Sequence, residues 1–432
     1  MSGEREVGGA ERPAFGSHWL LPAAMTLGAA LGLAWGALLG ARWSDPALEW
    51  LVLGTRLLGE TFLSLLKALA IPLVATSVIS SVAQVGSGSR LGRLAAISGV
   101  WFAGSTLLAV ATGLVLVLVF EPGAGVAATE FSELPARASA PASTAQAVYG
   151  VAREMFPSSW LEAALTSNVL GVLVASLLIG AGLARAGERA RSLVDVVGAA
   201  NHVLLDLVRL VVWLAPLGIF GLVADRIGQA GGGAQAWAEL SALGSYALTV
   251  LAGLAFHALV SLPLLLLVLG RRRPYRYGLA MGDALLTAAG TASSAATLGV
   301  TLRCVTGAGV RERIADFVLP LGATVNMNGT ALYEAIAVVF IAQVLGVELA
   351  GAELLVVLLT ATLAAAGAAA IPEAGLVTML LVLGAVGLPA EAAGLILSID
   401  WILDRVRTAV NVWGDTIGAA IVDQRLGDEL RS

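Results

Sequence analysis

The sequence predicts an all-α membrane protein that crosses the bilayer several times, and two observations lead to that prediction. Of its 432 residues, 58% are of apolar types and only 13% are charged, whereas a water-soluble chain carries about 25% charged residues. Apolar stretches of about 20 residues, the length that crosses a bilayer as a helix, also recur along the chain. Most of the protein surface is therefore expected to face lipid.

Six apolar stretches are long enough to cross a bilayer. The first follows a start of mixed charge rather than the basic start of a signal peptide, so it is expected to remain uncleaved. Between the third and the fourth lies 121–158, which is rich in Pro, Ala, Ser and Glu and is expected to be a water-exposed loop. The six stretches lie near 18–41, 47–85, 94–120, 160–184, 194–227 and 236–270.

The distribution of arginine predicts a cytoplasmic N-terminus, and the tails 1–17 and 425–432 are both expected in the cytoplasm. Basic residues in short loops concentrate on the inner side of a membrane. With the N-terminus inside, four arginines fall outside, namely Arg42, Arg137, Arg153 and Arg226. Eleven fall inside: Arg5, Arg12, Arg90, Arg93, Arg185, Arg189, Arg191, Arg271, Arg272, Arg273 and Arg276.

Charge and cysteine content exclude other classes of protein. The net charge of −5 does not indicate the basic surface that a nucleic-acid-binding protein needs. Cys304 is the only cysteine, which excludes an intramolecular disulfide and a cysteine metal cluster.

Arg56, Glu60 and Lys67 share one face of the second stretch, and we expect that face to turn toward protein or water as a structural stripe.

Beyond residue 277 the apolar runs are shorter, and the first interruption is 291–299, which holds Thr291, Ser293, Ser294 and Thr297. Two interpretations are open at this point. Two half-helices could meet at a tip, with hydroxyls and free backbone groups turned toward a ligand. Alternatively, the small residues could serve close helix packing.

The second interruption, 322–330, contains glycines, threonines and the asparagines Asn326 and Asn328. This composition breaks a membrane helix, and oxygen-rich unwound backbone at membrane depth is typical of a Na⁺ site. The sequon at Asn328 is not expected to be glycosylated, because it lies in an apolar segment. Glu334 follows four residues after Thr330.

The third interruption, 364–375, carries Pro372 and Glu373 and echoes the first in sequence. A pair of interrupted segments in the two halves of a chain predicts an inverted repeat with a ligand site between them.

A polar stripe marks the last helix. With successive residues placed about 100° apart, six polar side chains fall within an arc of about 100°. A solvated surface helix would show the same stripe, but the flanks 392–399 and 418–422 are apolar, and charges within a membrane must face a cavity or a partner. The six are Asp400, Asp404, Arg407, Thr408, Asn411 and Asp415.

The stripe has chemistry that fits a small zwitterionic ligand. Asp404 can hold an ammonium group, and Arg407 can grip a carboxylate through two parallel hydrogen bonds. Asp415 and Asn411 offer hard oxygens for Na⁺. A ligand with one cationic and two anionic groups matches these side chains.

Three motifs, NMNGTALYEA (326–335), IPEAGLVTML (371–380) and DRVRTAVNVWGD (404–415), resemble the dicarboxylate/amino acid:cation symporters, the family of the excitatory amino acid transporters. The resemblance runs from about 18 to 424. It implies a single transporter unit with eight transmembrane helices and two re-entrant hairpins in inverted repeats, assembled as a homotrimer among the lipids of the inner membrane.

The same resemblance implies two parts that move relative to one another. A scaffold of about 18–85 and 160–227 would form the trimer, and a transport domain of about 94–120 and 236–424 would slide against it like an elevator.

The resemblance also assigns residues to the substrate. Ser293 and Ser294 would contact it from the first hairpin tip, and the backbone from Ile371 to Gly375 would close over it as the gate. Helices 7 and 8 would bind it through Thr330, Asp404, Arg407, Thr408 and Asn411. Arginine at the position of Arg407 goes with acidic substrates in this family.

Coupling ions rather than an organic cofactor are implied. One Na⁺ site would use Gly322, Asn326, Asn411 and Asp415, and Glu334 matches the glutamate thought to carry a proton in the animal members. A second, weaker Na⁺ site would use Ser105, Thr106 and Asn328. The usual motif has Asp where this chain has Asn328, and an amide supplies oxygen but no charge. We therefore expect fewer sodium ions and a cotransported proton.

Three functions compete at this stage. Symport of L-glutamate or L-aspartate with Na⁺, H⁺ or both is favoured, because Asp404 and Arg407 match both charges of the substrate. Uptake of a C4-dicarboxylate such as succinate, fumarate or malate would leave Asp404 facing no ammonium group. No nucleophile–base pair supports a membrane enzyme, and a channel-like anion leak between the domains stays open.

Overall fold

The computed structural model describes residues 20–426 except 84–88, 125–148, 369–373 and the single residues 151, 154, 167, 230, 232 and 350. Every regular element in this part of the chain is helical, which confirms the all-α prediction. Six helical segments are long and apolar enough to cross a membrane by length and composition. The predicted tail 1–17 lies outside the described residues, as do most of the predicted loop 121–158 and nearly all of the C-terminal tail.

Seven α-helices, with three short 3₁₀ helices between them, are described in the first half of the chain. The apolar stretch predicted at 194–227 is divided there, because Pro216 lacks the N–H that would continue the helix ending at Val212. The helices are α1 (Leu20–Leu39), α2 (Glu49–Ala83), α3 (Ser89–Phe120), α4 (Trp160–Leu165), α5 (Val169–Ala186), α6 (Arg191–Val212) and α7 (Ala215–Gln229).

Glycines bring α1 into direct backbone contact with α7. A Cβ atom at Gly28, Gly32 or Gly36 would lie only 2.3 to 2.7 Å from a backbone oxygen of α7. Small residues at four-residue spacing are the pattern through which membrane helices approach closely. Substituting any of the three would force these two helices apart.

Ten α-helices, one π-helical turn and the 3₁₀ helix Ala390–Ala393 form the second half as far as it is described. They are α8 (Gly233–Phe256), the turn His257–Ser261, α9 (Leu262–Leu269), α10 (Pro274–Ala280), α11 (Gly282–Thr291), α12 (Ser294–Gly307), α13 (Glu312–Val325), α14 (Asn328–Val344), α15 (Gly351–Ala366), α16 (Ala374–Ala385) and α17 (Gly394–Arg425).

Two of the predicted interruptions are now explained. The chain reverses between α11 and α12 at Ala292, whose φ of 49° is left-handed, so 291–299 is the tip of a hairpin. The helix α13–α14 is broken at Asn326 and Met327, as the composition of 322–330 predicted. Helices α15 and α16 pack against each other as the arms of a second hairpin, and residues 369–373 between them lie outside the described part of the chain.

The broken helix α13–α14 is the core of the second half. Its most apolar window is 94% buried, and it is packed against α3, α8, α15, α16 and α17. The order of a hairpin followed by a long helical segment occurs twice, as an inverted repeat requires. The motif at 326–335 therefore lies inside the protein and away from lipid.

The charged face of α2 turns toward protein. Arg56 Nη2 lies 3.2 Å from Asp225 Oδ1 of α7, and Lys67 Nζ lies 2.6 Å from Glu391 Oε1 in the turn before α17. Glu60 lines a cavity of about 360 Å³ together with Arg56 and Asp225. These partners agree with the structural stripe that the sequence predicted.

The pair between Lys67 and Glu391 is expected to depend on pH. Burial alone would raise the pKa of Glu391, but the hydrogen bond and charge of Lys67 outweigh it and hold that pKa below 4.5. The bridge therefore contributes fully above about pH 4.5, and its contribution is lost as pH falls through the lowered pKa. Both side chains are more than a third exposed, so Glu391→Gln should cost no more than about 1 kcal/mol. Thermal unfolding across pH tests this, and a constant difference from wild type at all pH values would contradict it.

Candidate functional site

The six polar side chains predicted to share one stripe of α17 are all buried. Each is at most 6% exposed, although three carry full charges of one sign and one of the other. Charges buried in this way must be paired or face a ligand, because their desolvation costs several kcal/mol. The stripe therefore lies in the protein interior, where the sequence predicted a site.

Arg407 lies at the centre of the site and is fully buried. Its Nη1 is 2.8 Å from Asp400 Oδ1, and its Nη2 is 2.7 Å from Asp404 Oδ1. The ring of Tyr333 lies 3.9 Å from Cζ and adds a cation–π contact. Nε, in contrast, has no hydrogen-bond partner among the described residues. A buried donor without an acceptor is unfavourable, so this face of the guanidinium is open to a ligand.

The second hairpin covers Arg407. A Cβ atom at Gly375 would lie 3.1 Å from Arg407 Nη2 and 3.2 Å from Thr330 Cγ2. Any larger residue at this position would press on both side chains. Of the predicted gate 371–375, Gly375 therefore lies against Arg407. Ile371 lies outside the described residues.

Asn411 joins α17 to the start of α14. Its Oδ1 accepts from the backbone N–H groups of Gly329 (2.8 Å) and Thr330 (3.3 Å), and its Nδ2 donates to Thr330 Oγ1 at 3.1 Å. Because α14 begins at Asn328, these N–H groups have no partner within the helix. The amide of Asn411 therefore caps α14 and fixes Thr330 beside Arg407.

Two other groups predicted to bind substrate are engaged with the backbone. Thr408 Oγ1 donates to Asp404 O at 2.8 Å, and Ser293 Oγ accepts from Ala296 N at 3.3 Å as the N-cap of α12. The hairpin tip, which includes Ser294, is tied to α17 by Arg405, whose Nη1 donates to Gly290 O at 2.8 Å. This contact holds the first hairpin against α17 at the residue that follows Asp404 in the sequence.

Asp415 belongs to a cluster of hydrogen-bonded polar side chains. Asn326 Nδ2 donates to Asp415 Oδ1 at 2.8 Å, and Ser105 Oγ of α3 donates to Asn326 Oδ1 at 3.1 Å. A Cβ atom at Gly322 would lie only 2.6 Å from Asp415 Oδ1, so only glycine fits there. A carboxylate, an amide and nearby unwound backbone are ligands that suit a hard cation.

Asn328 has a different environment. It is fully buried, and neither its Oδ1 nor its Nδ2 has a hydrogen-bond partner in the described part of the chain. The hydroxyl of Thr106 is likewise buried without a described partner. Of the three residues predicted for a second cation, Ser105 is thus hydrogen-bonded to Asn326 in the Asp415 cluster. Thr106 and Asn328 have buried polar atoms without a described hydrogen-bond partner.

Glu334 is fully buried in α14. Its Oε1 accepts a hydrogen bond from Thr378 Oγ1 of α16, and its Oε2 has no partner among the residues that the structure describes. Gly375, the residue that covers Arg407, lies on the same helix as Thr378. The carboxyl group of Glu334 therefore touches the arm of the hairpin that covers Arg407.

Comparison with known proteins now adds the decisive observation. The model of the sodium:dicarboxylate symporter family matches residues 19–425. This chain belongs to that family. The family is one of membrane transporters, and its all-helical fold is of the elevator type.

The symporter also matches individual relatives over most of their length. It is 38% identical to an excitatory amino acid transporter of Caenorhabditis elegans over 84% of this chain and 80% of the relative. It is 37% identical to excitatory amino acid transporter 3 of Homo sapiens, over 86% of this chain and 79% of the relative. Excitatory amino acid transporter 2 of Homo sapiens is 35% identical, over 93% and 78%.

Three residues of the symporter site were not assigned by the sequence. Asp400 was placed on the stripe without a role, although its spacing of seven residues from Arg407 puts both on one helix face. Tyr333 and Thr378 were not singled out, because their contacts with Arg407 and Glu334 join separate helices. No periodicity within one helix reveals such contacts.

Proposed function

We propose that the symporter carries L-glutamate or L-aspartate into the cell together with Na⁺, H⁺ or both. The observation that carries this proposal is Arg407, fully buried between Asp400 and Asp404 with Nε open. The names of the relatives, which are excitatory amino acid transporters, support it.

An exchange of partners explains how an acidic amino acid would enter. In the structure Asp404 Oδ1 lies 2.7 Å from Arg407 Nη2 and neutralises the guanidinium. The α-ammonium group of a substrate would pair with Asp404 in place of Arg407, which leaves Nη2 of Arg407 without its acceptor. The side-chain carboxylate then binds Nε and Nη2 in parallel, the geometry in which a guanidinium binds a carboxylate most strongly. Asp400 keeps Nη1 and holds the guanidinium plane in place.

The same exchange disfavours a C4-dicarboxylate. Succinate has no ammonium group, so Asp404 would remain paired with Arg407 or be left buried and unpaired. Thr330 and Asn411, with Ser293 and Ser294 from the hairpin tip, supply hydroxyl and amide groups for the α-carboxylate. Thr408 would join them by turning its hydroxyl away from Asp404 O. Gly375 and the adjoining backbone to Ile371 close the site.

Cations complete the charge balance. Gly322, Asn326, Asn411 and Asp415 would hold one Na⁺, and Asp415 supplies its negative charge. Asn328 and Thr106 offer neutral oxygens only, so a second Na⁺ would bind weakly. Glu334 would carry a proton, because the neutral acid costs less in this buried position than the ionised group.

The larger assembly follows the family. The helices α1, α2 and α4–α7 would form a trimeric scaffold in the inner membrane, with both tails in the cytoplasm. The remaining helices would move with the substrate, among lipids, and no organic cofactor or catalytic step is required.

Uptake of radiolabelled L-aspartate into proteoliposomes tests the proposal under three imposed gradients: Na⁺ alone, H⁺ alone and both. We expect uptake with Na⁺ that increases when H⁺ is added, and weak competition by succinate. Uptake driven by H⁺ alone would contradict the assignment of Asp415 as a ligand of the coupling Na⁺. No uptake under any gradient, or succinate competing as well as L-glutamate, would reject the acidic amino acid as substrate.

Changing Asn328 to aspartate should create a stronger cation site. The new carboxylate would be buried without a described partner, which costs several kcal/mol in the absence of a cation. We therefore expect Asn328→Asp to unfold at lower temperature without Na⁺ and to regain stability as Na⁺ is added. Asn201→Asp on α6, where the side chain accepts from Ser77 Oγ at 2.8 Å, is the matched control. Equal Na⁺ responses of the two variants would rule out a cation at Asn328.

Removing the acid at Glu334 should remove proton coupling. Glutamine keeps the contact with Thr378 but cannot release a proton. We expect Glu334→Gln to take up L-aspartate at a rate that no longer varies with pH, measured in proteoliposomes at fixed Na⁺. Glu162→Gln, on an exposed part of α4, should keep the wild-type profile. An unchanged profile in Glu334→Gln would place the proton elsewhere.

A further inference from the structure

A groove of about 770 Å³ runs between α3, α9 and α17, apart from the substrate site. Its walls are mostly apolar and include Val100 and Leu108 of α3 and Leu265 and Leu269 of α9. The charged side chains in its lining are two arginines, Arg93 and Arg425. The groove therefore combines a long apolar wall with a cationic end.

The distribution of arginine predicts that the cationic end lies on the inner side of the membrane. Arg93 is near the start of α3, Leu269 ends α9 and Arg425 ends α17. Further arginines gather where α9 and α17 end, since Arg272 and Arg311 both pair with Asp423 at 3.2 and 2.7 Å. An accumulation of arginine marks the cytoplasmic face.

We propose that this groove binds an anionic phospholipid of the cytoplasmic leaflet. Its phosphate group lies between Arg93 and Arg425, and one acyl chain lies along the apolar wall. Basic pockets between membrane helices on the cytoplasmic side suit anionic headgroups. A lipid fits better than a soluble anion, because a soluble anion would leave the apolar wall uncovered.

The lipid would lie directly behind the cation cluster. Trp101 and Ser105 line the groove. On the other side, Trp101 Nε1 donates to Gly414 O at 3.3 Å, and Ser105 Oγ donates to Asn326 Oδ1 at 3.1 Å. Gly414 precedes Asp415. A bound acyl chain would therefore pack against Trp101 and Ser105, which hold Gly414 and Asn326 next to Asp415. This support does not depend on which substrate is carried.

Quenching of Trp101 fluorescence by brominated acyl chains tests the proposal without any transport assay. The full chain is placed in phosphatidylcholine vesicles that contain brominated phosphatidylglycerol or, at equal bromine content, brominated phosphatidylcholine. The Trp101 contribution is the quenching lost in Trp101→Phe. We expect stronger quenching by the anionic lipid, and no such preference in the Arg93→Gln/Arg425→Gln variant.

Two further variants keep the result decisive. No heavy atom lies within 4 Å of a Cβ atom built at Gly104, so Gly104→Phe would fill the groove without a clash at its own backbone and should abolish quenching of Trp101. Arg185→Gln/Arg189→Gln, which removes two exposed arginines beyond the groove, should keep the preference. Equal quenching by both lipids in wild type, or unchanged quenching in Gly104→Phe, would overturn the proposal.

Discussion

Replacing Arg407 by glutamine is expected to abolish uptake of acidic amino acids. The substrate would lose a charge-assisted, two-bond contact worth about 2–5 kcal/mol, which lowers kcat/KM for L-aspartate by at least about 30-fold. Asp404 remains available to an ammonium group, so a neutral amino acid such as L-serine should still compete for binding. Uptake and competition in proteoliposomes measure both effects.

Misfolding must be separated from loss of recognition in this variant. Without Arg407, Asp400 and Asp404 are two buried carboxylates that have lost a shared cation, and breaking such a pair costs about 3–5 kcal/mol. We expect Arg407→Gln/Asp400→Asn to recover thermal stability, because one of the two charges is gone, without recovering L-aspartate uptake. Uptake restored in the double variant would mean that Arg407 stabilises the fold and does not bind the substrate.

Replacing Asp415 by asparagine is expected to remove the response to Na⁺. The side chain keeps its size and its neighbour Asn326, but the cation loses a charge that is worth about 4 kcal/mol at 4 Å in a protein environment. The Na⁺ concentration for half-maximal uptake should rise by more than about tenfold. A Na⁺ titration of L-aspartate uptake gives this value.

Binding can be read separately from transport in the same variant. Na⁺ that binds the folded state raises its unfolding temperature, and we expect that rise in wild type and not in Asp415→Asn. Asp206→Asn, which removes an exposed carboxylate paired with Arg209, should behave as wild type. A Na⁺-dependent rise of wild-type size in Asp415→Asn would exclude Asp415 as a ligand.

Hydropathy and helical periodicity predicted the all-helical membrane class and the polar stripe of α17. Both depend on local chemistry: a span needs about 20 apolar residues, and charges within it must share one protected face. The break at Asn326 followed in the same way, because glycine and asparagine are poor helix formers. The roles of the site residues remained expectations, because the periodicity of one helix shows which polar groups share a face but not which groups of other helices they contact.

The sequence by itself therefore determined the class of protein, the family resemblance and the identity of the polar groups. Only the tertiary structure decided which groups meet: Asp400 and Asp404 on Arg407, Thr378 on Glu334 and Gly375 over the guanidinium. It also chose between the two interpretations of 291–299 through the left-handed turn at Ala292. The physical reason is that buried charges select partners by the distance between helices, and that distance is set by packing across the whole fold.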